Sequence, residues 1–226
     1  MWTKTSLSYT SPNIQNAPMD TKVGLTTSNA DMGHQTRFTV HHTQRLGSGT
    51  FGVVCRAWDK STGSLVAAKI SNWKQSRART LNEIQALQRA QDLPNVIQYI
   101  ADYTENGARV IVTEELEGGE LFAAIGEKGL PEAEARGYMR QMVDGLAQLH
   151  ARGIVHRDLK LENAMLHGTV LKWIDLGLAY VAPREFGTDL LNAPIQYMDT
   201  AVGSESYMAP EVVQCLQAVN KSERNP

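Results

Sequence analysis

Two carboxylates, an amide and a lysine fall within twenty residues of one another in the second half of the chain. They are Asp158, Lys160, Asn163 and Asp175, with Asn163 five residues after Asp158 and twelve before Asp175. An amide oxygen and a carboxylate are hard ligands that suit Mg²⁺, which completes its shell with waters and phosphate oxygens. If Asn163 and Asp175 hold such an ion, Asp158 is left to orient or deprotonate an attacking hydroxyl group.

The hydrophobic pattern predicts how these side chains meet. Two short apolar runs, 164–166 and 170–174, are separated by a His-Gly pair and are typical of strands joined by a turn. Asn163 precedes the first strand and Asp175 follows the second, so a hairpin would bring both to one site. An amphipathic helix is predicted at 131–152. It leads directly into residues 156–163, the stretch that carries Asp158 and Asn163 and is called here the catalytic stretch.

A glycine-rich stretch near residue 50 adds a second element with phosphate chemistry. Gly47, Gly49 and Gly52 follow the pattern G-x-G-x-x-G, in which backbone N–H groups approach an anion closely because no side chain intervenes. A dinucleotide-binding turn has the same spacing, but that motif opens a helix. Here residues 53–58 continue as a strand, followed by a turn and a second strand at 65–70. The glycines are therefore expected at a hairpin tip that either covers phosphates or is a bare turn.

Together these stretches resemble the eukaryotic protein kinase family over about residues 38 to 211. The motifs that carry the resemblance are the glycine pattern, HRDLKLEN at 156–163, DLG at 175–177 and APE at 209–211. The resemblance implies a two-lobe α+β fold, with a small β-rich N-lobe and a helical C-lobe, and it implies ATP and Mg²⁺ as cofactors. The lysine two residues after the catalytic aspartate is similar to the serine/threonine branch. Leucine replaces the commoner phenylalanine in DLG, and its apolar side chain is expected to be tolerated.

Lys69 lies at the end of an apolar strand, where an unpaired ammonium group would be costly, so it needs anionic partners. The resemblance places it on the nucleotide phosphates and pairs it with a glutamate of the next helix. Helical spacing predicts that helix at 76–91, with Leu81 and Leu87 on its inner face. Glu83 lies beside this face and is the expected partner of Lys69; the alternative is an exposed helix glutamate.

The resemblance also implies how the nucleotide is enclosed. Thr113 would guard the pocket behind the adenine, the backbone of Glu114 and Leu116 would contact its edge, and Val53 and Ala67 would form an apolar roof. The residues implied for ATP binding are Leu46, Gly47, Gly49, Gly52, Val53, Ala67, Lys69, Thr113, Glu114 and Leu116.

Phosphoryl transfer needs alignment and charge neutralisation more than covalent chemistry. By resemblance, Asp158 would orient the substrate hydroxyl and Lys160 would meet the charge that develops on the transferred phosphate. Lys69, supported by Glu83, would fix the phosphates, and the metal ion would lie across them.

The segment from Asp175 to Glu211 spans 37 residues without strong periodicity, and a loop of that length is usually functional or mobile. It resembles the activation segment of the family. The resemblance puts a regulatory phosphate on Thr200, which is otherwise an exposed loop threonine, and makes Arg157 and Lys172 the cations that receive it. It also puts at Ser204 a hydroxyl that braces the catalytic loop.

Four parts are expected along the chain. Residues 1–36 are rich in Ser, Thr, Asn and Gln and are predicted to be a disordered polar tail. The N-lobe would span 37–113, the hinge 114–120 and a partial C-lobe 121–226. Because 15 residues follow the APE motif, the C-lobe is expected to lack the last helices of the family.

Composition limits the partners. The formal net charge of −2 gives no electrostatic case for nucleic-acid binding. No apolar run approaches the ~18 residues that span a bilayer, so no membrane association is expected. Two cysteines make no disulfide framework, which favours an intracellular, cytoplasmic or nuclear location.

Two functions stay open from the sequence. The first is a serine/threonine protein kinase that transfers the γ-phosphate of ATP to a protein hydroxyl and answers to an upstream kinase. Glu120 and Glu162 would then face basic residues before the target serine or threonine. The second is a non-catalytic module that binds nucleotide or a partner protein. The intact set of site residues favours the first function, and the expected absence of the last helices favours the second.

Overall fold

An antiparallel sheet of five strands forms the N-terminal part of the computed structural model, which describes Gly33 and residues 36–49, 52–183 and 202–216. The strand order is β1-β2-β3-β5-β4. The strands are β1 (Phe38–Gly49), β2 (Gly52–Asp59), β3 (Ser64–Asn72), β4 (Tyr99–Glu105) and β5 (Ala108–Glu114). Gly49 pairs with Gly52, so the glycine motif lies at a hairpin tip, as predicted.

Helix α1 (Trp73–Arg89) connects β3 to β4 and begins three residues before the predicted start. Ser76 has non-helical backbone angles (φ −130°, ψ 21°) and interrupts its first turn. Leu81, predicted on the inner face, is 46% exposed, whereas Thr80, Glu83 and Leu87 are buried. Spacings of three and four residues place these three on one face, and Leu81 lies about 100° around the helix from Thr80.

The fourth strand begins at Tyr99. The residues just before it stay out of the sheet, because the side-chain amide of Gln98 donates to the carbonyl oxygens of Leu93 and Val96 over 2.8 Å each and curls this segment. Val96 instead forms an isolated bridge with Trp173 of the second half.

Helices and short hairpins form the second half. The helices are α2 (Leu121–Ile125) and α3 (Glu132–Ala151), and residues 210–216 are also helical. The strands are β6 (Ile154–Val155), β7 (Ala164–His167), β8 (Val170–Trp173) and β9 (Tyr180–Val181), with β6 paired to β9 and β7 to β8. Short 3-10 helices cover Leu161–Asn163, Leu176–Leu178 and Glu205–Tyr207. The predicted α+β architecture with a β-rich lobe and a helical lobe is confirmed.

A buried cluster joins the two halves. Helix α1 packs on one face of the sheet, and Ile111 of β5 meets Leu149 of α3 and Leu176 there. The opposite face of the sheet is covered by its own cluster, in which Phe38 and Tyr103 stack with ring centroids 6.0 Å apart. Burying an aliphatic side chain of this size stabilises a fold by about 1.5–3 kcal/mol, so the first cluster fixes how the sheet sits on the helical part.

A third cluster anchors the β7–β8 hairpin, called here the catalytic hairpin, to α3. Trp173 is 1% exposed, contacts the face of α3 that carries Tyr138, Met142 and Leu146, and donates from Nε1 to the carbonyl oxygen of Met142 over 3.0 Å. The amphipathic face predicted for this helix is therefore the packed one. Among the described helices, none combines the length and apolar character needed to cross a membrane.

Arg37 fixes the start of β1 to the end of β2. Its Nε donates to Oδ1 of Asp59 over 2.8 Å, and its guanidinium lies 4.8 Å from the ring centroid of Phe38. The hydrogen bond from Arg37 outweighs the opposing effect of burial and holds the pKa of Asp59 well below its usual range. The first strand is therefore held by a charged pair that is remote from the catalytic stretch in sequence.

Gly145→Ala is expected to destabilise the protein by about 1–3 kcal/mol, because a methyl group would overpack the contact between α3 and the catalytic hairpin. A Cβ at this position would lie 2.9 Å from Cβ of Asn95 and 3.0 Å from Cδ1 of Trp173. Gly137 lies on the same helix with nothing within 4 Å of its would-be Cβ. Gly137→Ala is therefore the matched control and should stabilise by about 0.5–1 kcal/mol. Urea unfolding measures both, and equal effects would contradict the packing explanation.

Candidate active site

The β7–β8 hairpin brings Asn163 and Asp175 to one end. Asn163 directly precedes β7, and its carbonyl oxygen accepts from the N–H of Ile174 over 2.9 Å. Asp175 follows with left-handed backbone angles (φ 56°, ψ 70°). Such angles are uncommon outside glycine and cluster at functional sites. The predicted hairpin and its two terminal residues are thus brought together as the spacing indicated.

Asp158 is held by three neighbours. Its Oδ1 accepts from Oγ of Ser204 over 2.8 Å, and its Oδ2 lies 3.0 Å from both Nδ2 of Asn163 and Nζ of Lys160. Lys160 also donates to Oγ of Ser204 over 2.8 Å. Burial alone would raise the pKa of Asp158, but these donors outweigh it and lower the pKa. The carboxylate therefore stays ionised and fixed in orientation.

His156 connects the backbone of Asp158 to the backbone just before Asp175. It is 1% exposed, and its ring lies edge-on to Trp173 with centroids 5.5 Å apart. Its Nδ1 accepts from the N–H of Asp158 over 3.3 Å, and its Nε2 lies 2.9 Å from the carbonyl oxygen of Ile174. Burial lowers the pKa of His156, so the ring is neutral, with the proton assigned to Nε2 as donor to Ile174. This histidine lies within the HRDLKLEN motif, whose spacing predicted no role for it.

Lys69 lies between two carboxylates, one from each half of the fold. Its Nζ is 2.6 Å from Oε1 of Glu83 on α1 and 3.0 Å from Oδ1 of Asp175. Burial would lower the pKa of Lys69, but the two carboxylates outweigh it and raise the pKa. Burial raises the pKa of Glu83, whereas Lys69 outweighs burial at Asp175 and lowers that pKa. The predicted pairing of Lys69 with Glu83 is confirmed.

Arg79 is a site residue that the sequence analysis missed. It lies one helical turn before Glu83, and its Nε would be 2.9 Å from a Cβ added to Gly177. Burial lowers the pKa of Arg79, and the carboxylates of Asp175, Glu83 and Asp158 oppose that shift. The spacing of four residues on one helix face was the available signal.

The strand register corrects one predicted roof residue. Val54 pairs with Lys69, and Ala67 lies two residues before Lys69 on the same strand face. Val53 pairs with Ile70 and so lies on the opposite face, the one that carries the sheet's own buried cluster. The prediction for Val53 is wrong, and Val54 is the valine that faces the cleft. The period of two along a strand favoured the second valine after the glycines.

The glycine motif lies at the end of the β1–β2 hairpin beside this roof. Gly52 has φ 152°, and a Cβ there would collide with the carbonyl oxygen of Ile70, so this position requires glycine. Gly47 pairs with Val54 across the hairpin. Leu46, also predicted to contact ATP, is 44% exposed next to an irregularity in the β1–β2 pairing.

The linker (residues 115–120) joins β5 to α2. Thr113 pairs with Ala67 and therefore faces the cleft from β5. Glu114 ends that strand, and the half-buried Leu116 follows in the linker. The structure thus brings all three residues predicted for this wall of the cleft to the C-terminal end of β5.

Lys172 pairs with the glutamate that ends β5. Its side chain is 10% exposed on β8, and its Nζ is 2.7 Å from Oε1 of Glu114. The ammonium group is thus paired at the start of the linker, and because Thr200 lies outside the described residues, the role of Lys172 as a receiver of phosphate stays a prediction. The sequence spacing of Lys172 to the DLG motif carried no information about which neighbour it faces.

Arg157 ties the catalytic loop to the chain after Asp175. It has φ 65°, and its Nε donates to the carbonyl oxygen of Leu178 over 2.7 Å. Thr200 lies outside the described residues, so the regulatory roles of Thr200 and of Arg157 stay predictions. Glu162 accepts a 3.4 Å hydrogen bond from the hydroxyl of Tyr207, and Glu120 is exposed at the end of the linker.

The donor atoms at the hairpin end fit Mg²⁺. The side-chain Nδ2 of Asn163 donates both to the carbonyl oxygen and to Oδ2 of Asp158. The amide oxygen of Asn163 is therefore left for a cation. Asp175 accepts from Lys69 and Gly177 through Oδ1, which leaves Oδ2. Two hard oxygens of this kind are what Mg²⁺ takes from a protein when phosphates and waters supply the rest.

Comparisons with known proteins identify the family of this chain. The family model described as "Protein kinase domain" matches residues 40–223. The chain is 34% identical over 172 residues to a probable myosin light chain kinase of Dictyostelium discoideum, covering 75% of this chain and 53% of that protein. It is 35% identical over 175 residues to human testis-specific serine/threonine-protein kinase 3, covering 75% and 62%.

A third relative, CBL-interacting serine/threonine-protein kinase 7 of Arabidopsis thaliana, is 32% identical over 210 residues, covering 89% of this chain and 44% of the plant protein. The chain therefore spans roughly half the length of the relatives it matches. Protein kinases generally use ATP and Mg²⁺, which agrees with the donor set at the hairpin end. The family match over most of the chain, together with the Lys69–Glu83–Asp175 network and the Asp158–Asn163 loop, shows that the chain belongs to the eukaryotic protein kinase family.

Proposed function

We propose that this chain catalyses transfer of the γ-phosphate of ATP to a serine or threonine hydroxyl of a protein. The observation that carries the proposal is the meeting of two buried networks at one end of the β7–β8 hairpin. One network is the ion-paired set of Lys69, Glu83 and Asp175. The other holds Asp158 and Asn163 in direct hydrogen-bond contact. Together they provide fixed charges for phosphates and a fixed acceptor for a hydroxyl.

The nucleotide would lie in the cleft between sheet and helical half. Val54 and Ala67 cover the purine, and Thr113 limits the depth of its pocket. Lys69 binds the phosphates, because its raised pKa keeps it charged and its two carboxylate partners fix its position. Asn163 and Asp175 would hold Mg²⁺, which neutralises phosphate charge when bound.

Asp158 would align the attacking hydroxyl and accept its proton. With a lowered pKa it is a weak base before reaction, so its first task is orientation by a hydrogen bond. Ser204 and Asn163 hold the two carboxylate oxygens, and Lys160 is placed beside the same carboxylate to stabilise charge on the transferred group.

The protein substrate is proposed to carry basic residues before its target hydroxyl. The support is the exposed carboxylate of Glu120 and the half-buried carboxylate of Glu162, which lies two residues after Lys160 in the catalytic loop. An upstream kinase that modifies Thr200 belongs to the same proposal.

The proposal is tested by thermal unfolding with Mg²⁺-ATP and with Mg²⁺ alone, followed by a phosphotransfer assay on peptides with basic residues before Ser, Thr or Tyr. A ligand at 100 times its dissociation constant adds about 2.7 kcal/mol of stability, or roughly 5–10 °C for a domain of this size. An upward shift with Mg²⁺-ATP and transfer to Ser or Thr are expected. No shift at millimolar Mg²⁺-ATP contradicts nucleotide binding, and a shift without transfer favours the non-catalytic module.

A further inference from the structure

Two ion pairs hold the chain at the linker from opposite sides. Arg56 of β2 donates from Nε to Oε1 and Oε2 of Glu115 over 2.9 and 3.0 Å. Lys172 of β8 pairs with Glu114 over 2.7 Å, and the same Oε1 of Glu114 accepts from the N–H of Gln98 over 2.8 Å. We name the Arg56–Glu115 and Lys172–Glu114 pairs together the linker brace.

The Arg56 pair crosses the cleft face of the sheet. Arg56 pairs with Ala67 in the β2–β3 register, and Ala67 pairs with Thr113 in the β3–β5 register. Arg56 therefore lies on the face that carries the roof residues, and its guanidinium reaches over β3 to the residue just after β5. The side chain of Glu115 is 7% exposed although it is charged, so the bidentate contact keeps it fixed beside the cleft.

The second half of the fold holds the linker through β7 and β8. Lys172 links Glu114 to β8, the strand that leads to Asp175. The backbone of the linker also pairs with β7, since the N–H of Gly118 donates to Leu166 and the N–H of Leu166 donates to Gly119, over 2.9 Å each. Leu116 lies between these anchored points, so its backbone is set by contacts on both sides.

A fixed backbone at Leu116 can tell two purines apart. At position 6, adenine presents an N–H donor and guanine presents an oxygen acceptor. A rigid peptide edge matched to one pattern leaves a buried group unpaired with the other base, which is the strongest source of discrimination a site can use. A linker free to shift would re-pair with either base and lose this selectivity.

We propose that Arg56 and Lys172 are positioning residues which, through Glu115 and Glu114, hold the linker in the register that selects adenine over guanine nucleotides. The inference rests on the proposed nucleotide binding. It assigns a task to two cations that touch neither the phosphates nor the hydroxyl.

The test compares Mg²⁺-ATP and Mg²⁺-GTP affinities of the full chain by calorimetry. The variants are R56Q/E115Q and K172M/E114Q, which remove each pair's charges together. Each is expected to lower the ATP-over-GTP affinity ratio by about fivefold or more, chiefly through weaker ATP binding. The control is R37Q/D59N, which removes another arginine–carboxylate pair of the same sheet and should leave the ratio unchanged.

The charge-reversed variant R56E/E115R rebuilds the first pair and should restore the ratio, which separates positioning from a general loss of folding. Equal weakening of both nucleotides in the brace variants would overturn the inference and indicate a merely structural role. A wild-type chain that binds ATP and GTP equally would also overturn it while the proposed function stands. A wild-type chain that binds neither nucleotide would overturn both.

Discussion

Asp158→Asn is expected to lower the rate of phosphotransfer by about 10²–10⁴-fold while the thermal unfolding temperature changes little. The amide keeps the shape of the side chain and still accepts from Lys160 and Asn163. The amide nitrogen would take the place of Oδ1 and donate to Oγ of Ser204, because a hydroxyl oxygen can accept a hydrogen bond. What is lost is the negative charge that orients the hydroxyl and takes its proton. ATP affinity should be retained, because Lys69 and the roof residues are untouched.

Steady-state phosphotransfer and a thermal melt of the same preparations check this result. Asp144→Asn is the matched control, since Asp144 is an exposed aspartate of α3 outside the site, and it should change neither quantity. Ser204→Ala removes only one hydrogen bond to Asp158 and should cost less than the loss of the carboxylate. Activity of Asp158→Asn within tenfold of the wild type would contradict the role given to this carboxylate.

The catalytic hairpin could be predicted from sequence because its information is local. Asn163 and Asp175 flank two strands of four residues each, and a turn between them fixes which ends meet. Lys69 and Glu83 are also close in the chain, 14 residues apart, with a strand end and the start of a helix between them. Strand periodicity was enough to bring Asn163 and Asp175 together, and the resemblance to the kinase family joined them with Lys69 and Glu83.

Predictions that depended on a face or a distant neighbour were less successful. Val53 and Val54 differ by one position, and a shift of one residue along a strand changes the face of the side chain. Leu81 is apolar, yet the buried stripe of α1 runs through Thr80 and Glu83, because the stripe must carry the partner of Lys69. In both cases the requirement of the site decided the face, and hydrophobicity alone did not.

Contacts between distant parts of the chain left no sequence signal. Arg56 and Glu115 are 59 positions apart, and the pair depends on the order of β2, β3 and β5 in the sheet. Lys172 was assigned to a phosphate because a lysine near the catalytic stretch resembled a phosphate receiver. Its neighbour in the structure, Glu114, is known only once the hairpin is docked on the linker.

Lys69→Met is expected to abolish measurable phosphotransfer and to destabilise the protein by about 3–5 kcal/mol. The stability loss follows from burial, since Glu83 is 5% exposed and would lose the cation that lies 2.6 Å away. Asp175 would lose the same partner, although Arg79 remains close enough to favour its ionised form. Urea unfolding gives the change in free energy, and a phosphotransfer assay gives the activity.

The double variant K69M/E83Q separates the two consequences of removing Lys69. Without a carboxylate on α1, the methionine no longer faces an unpaired buried charge, so most of the lost stability should return. Phosphotransfer should stay absent, because nothing in the double variant replaces the ammonium group on the phosphates. Recovery of activity along with stability would contradict a direct role of Lys69 in binding phosphate. A single variant as stable as the wild type would show instead that Arg79 compensates for both carboxylates, and the ion pair would then serve the nucleotide alone.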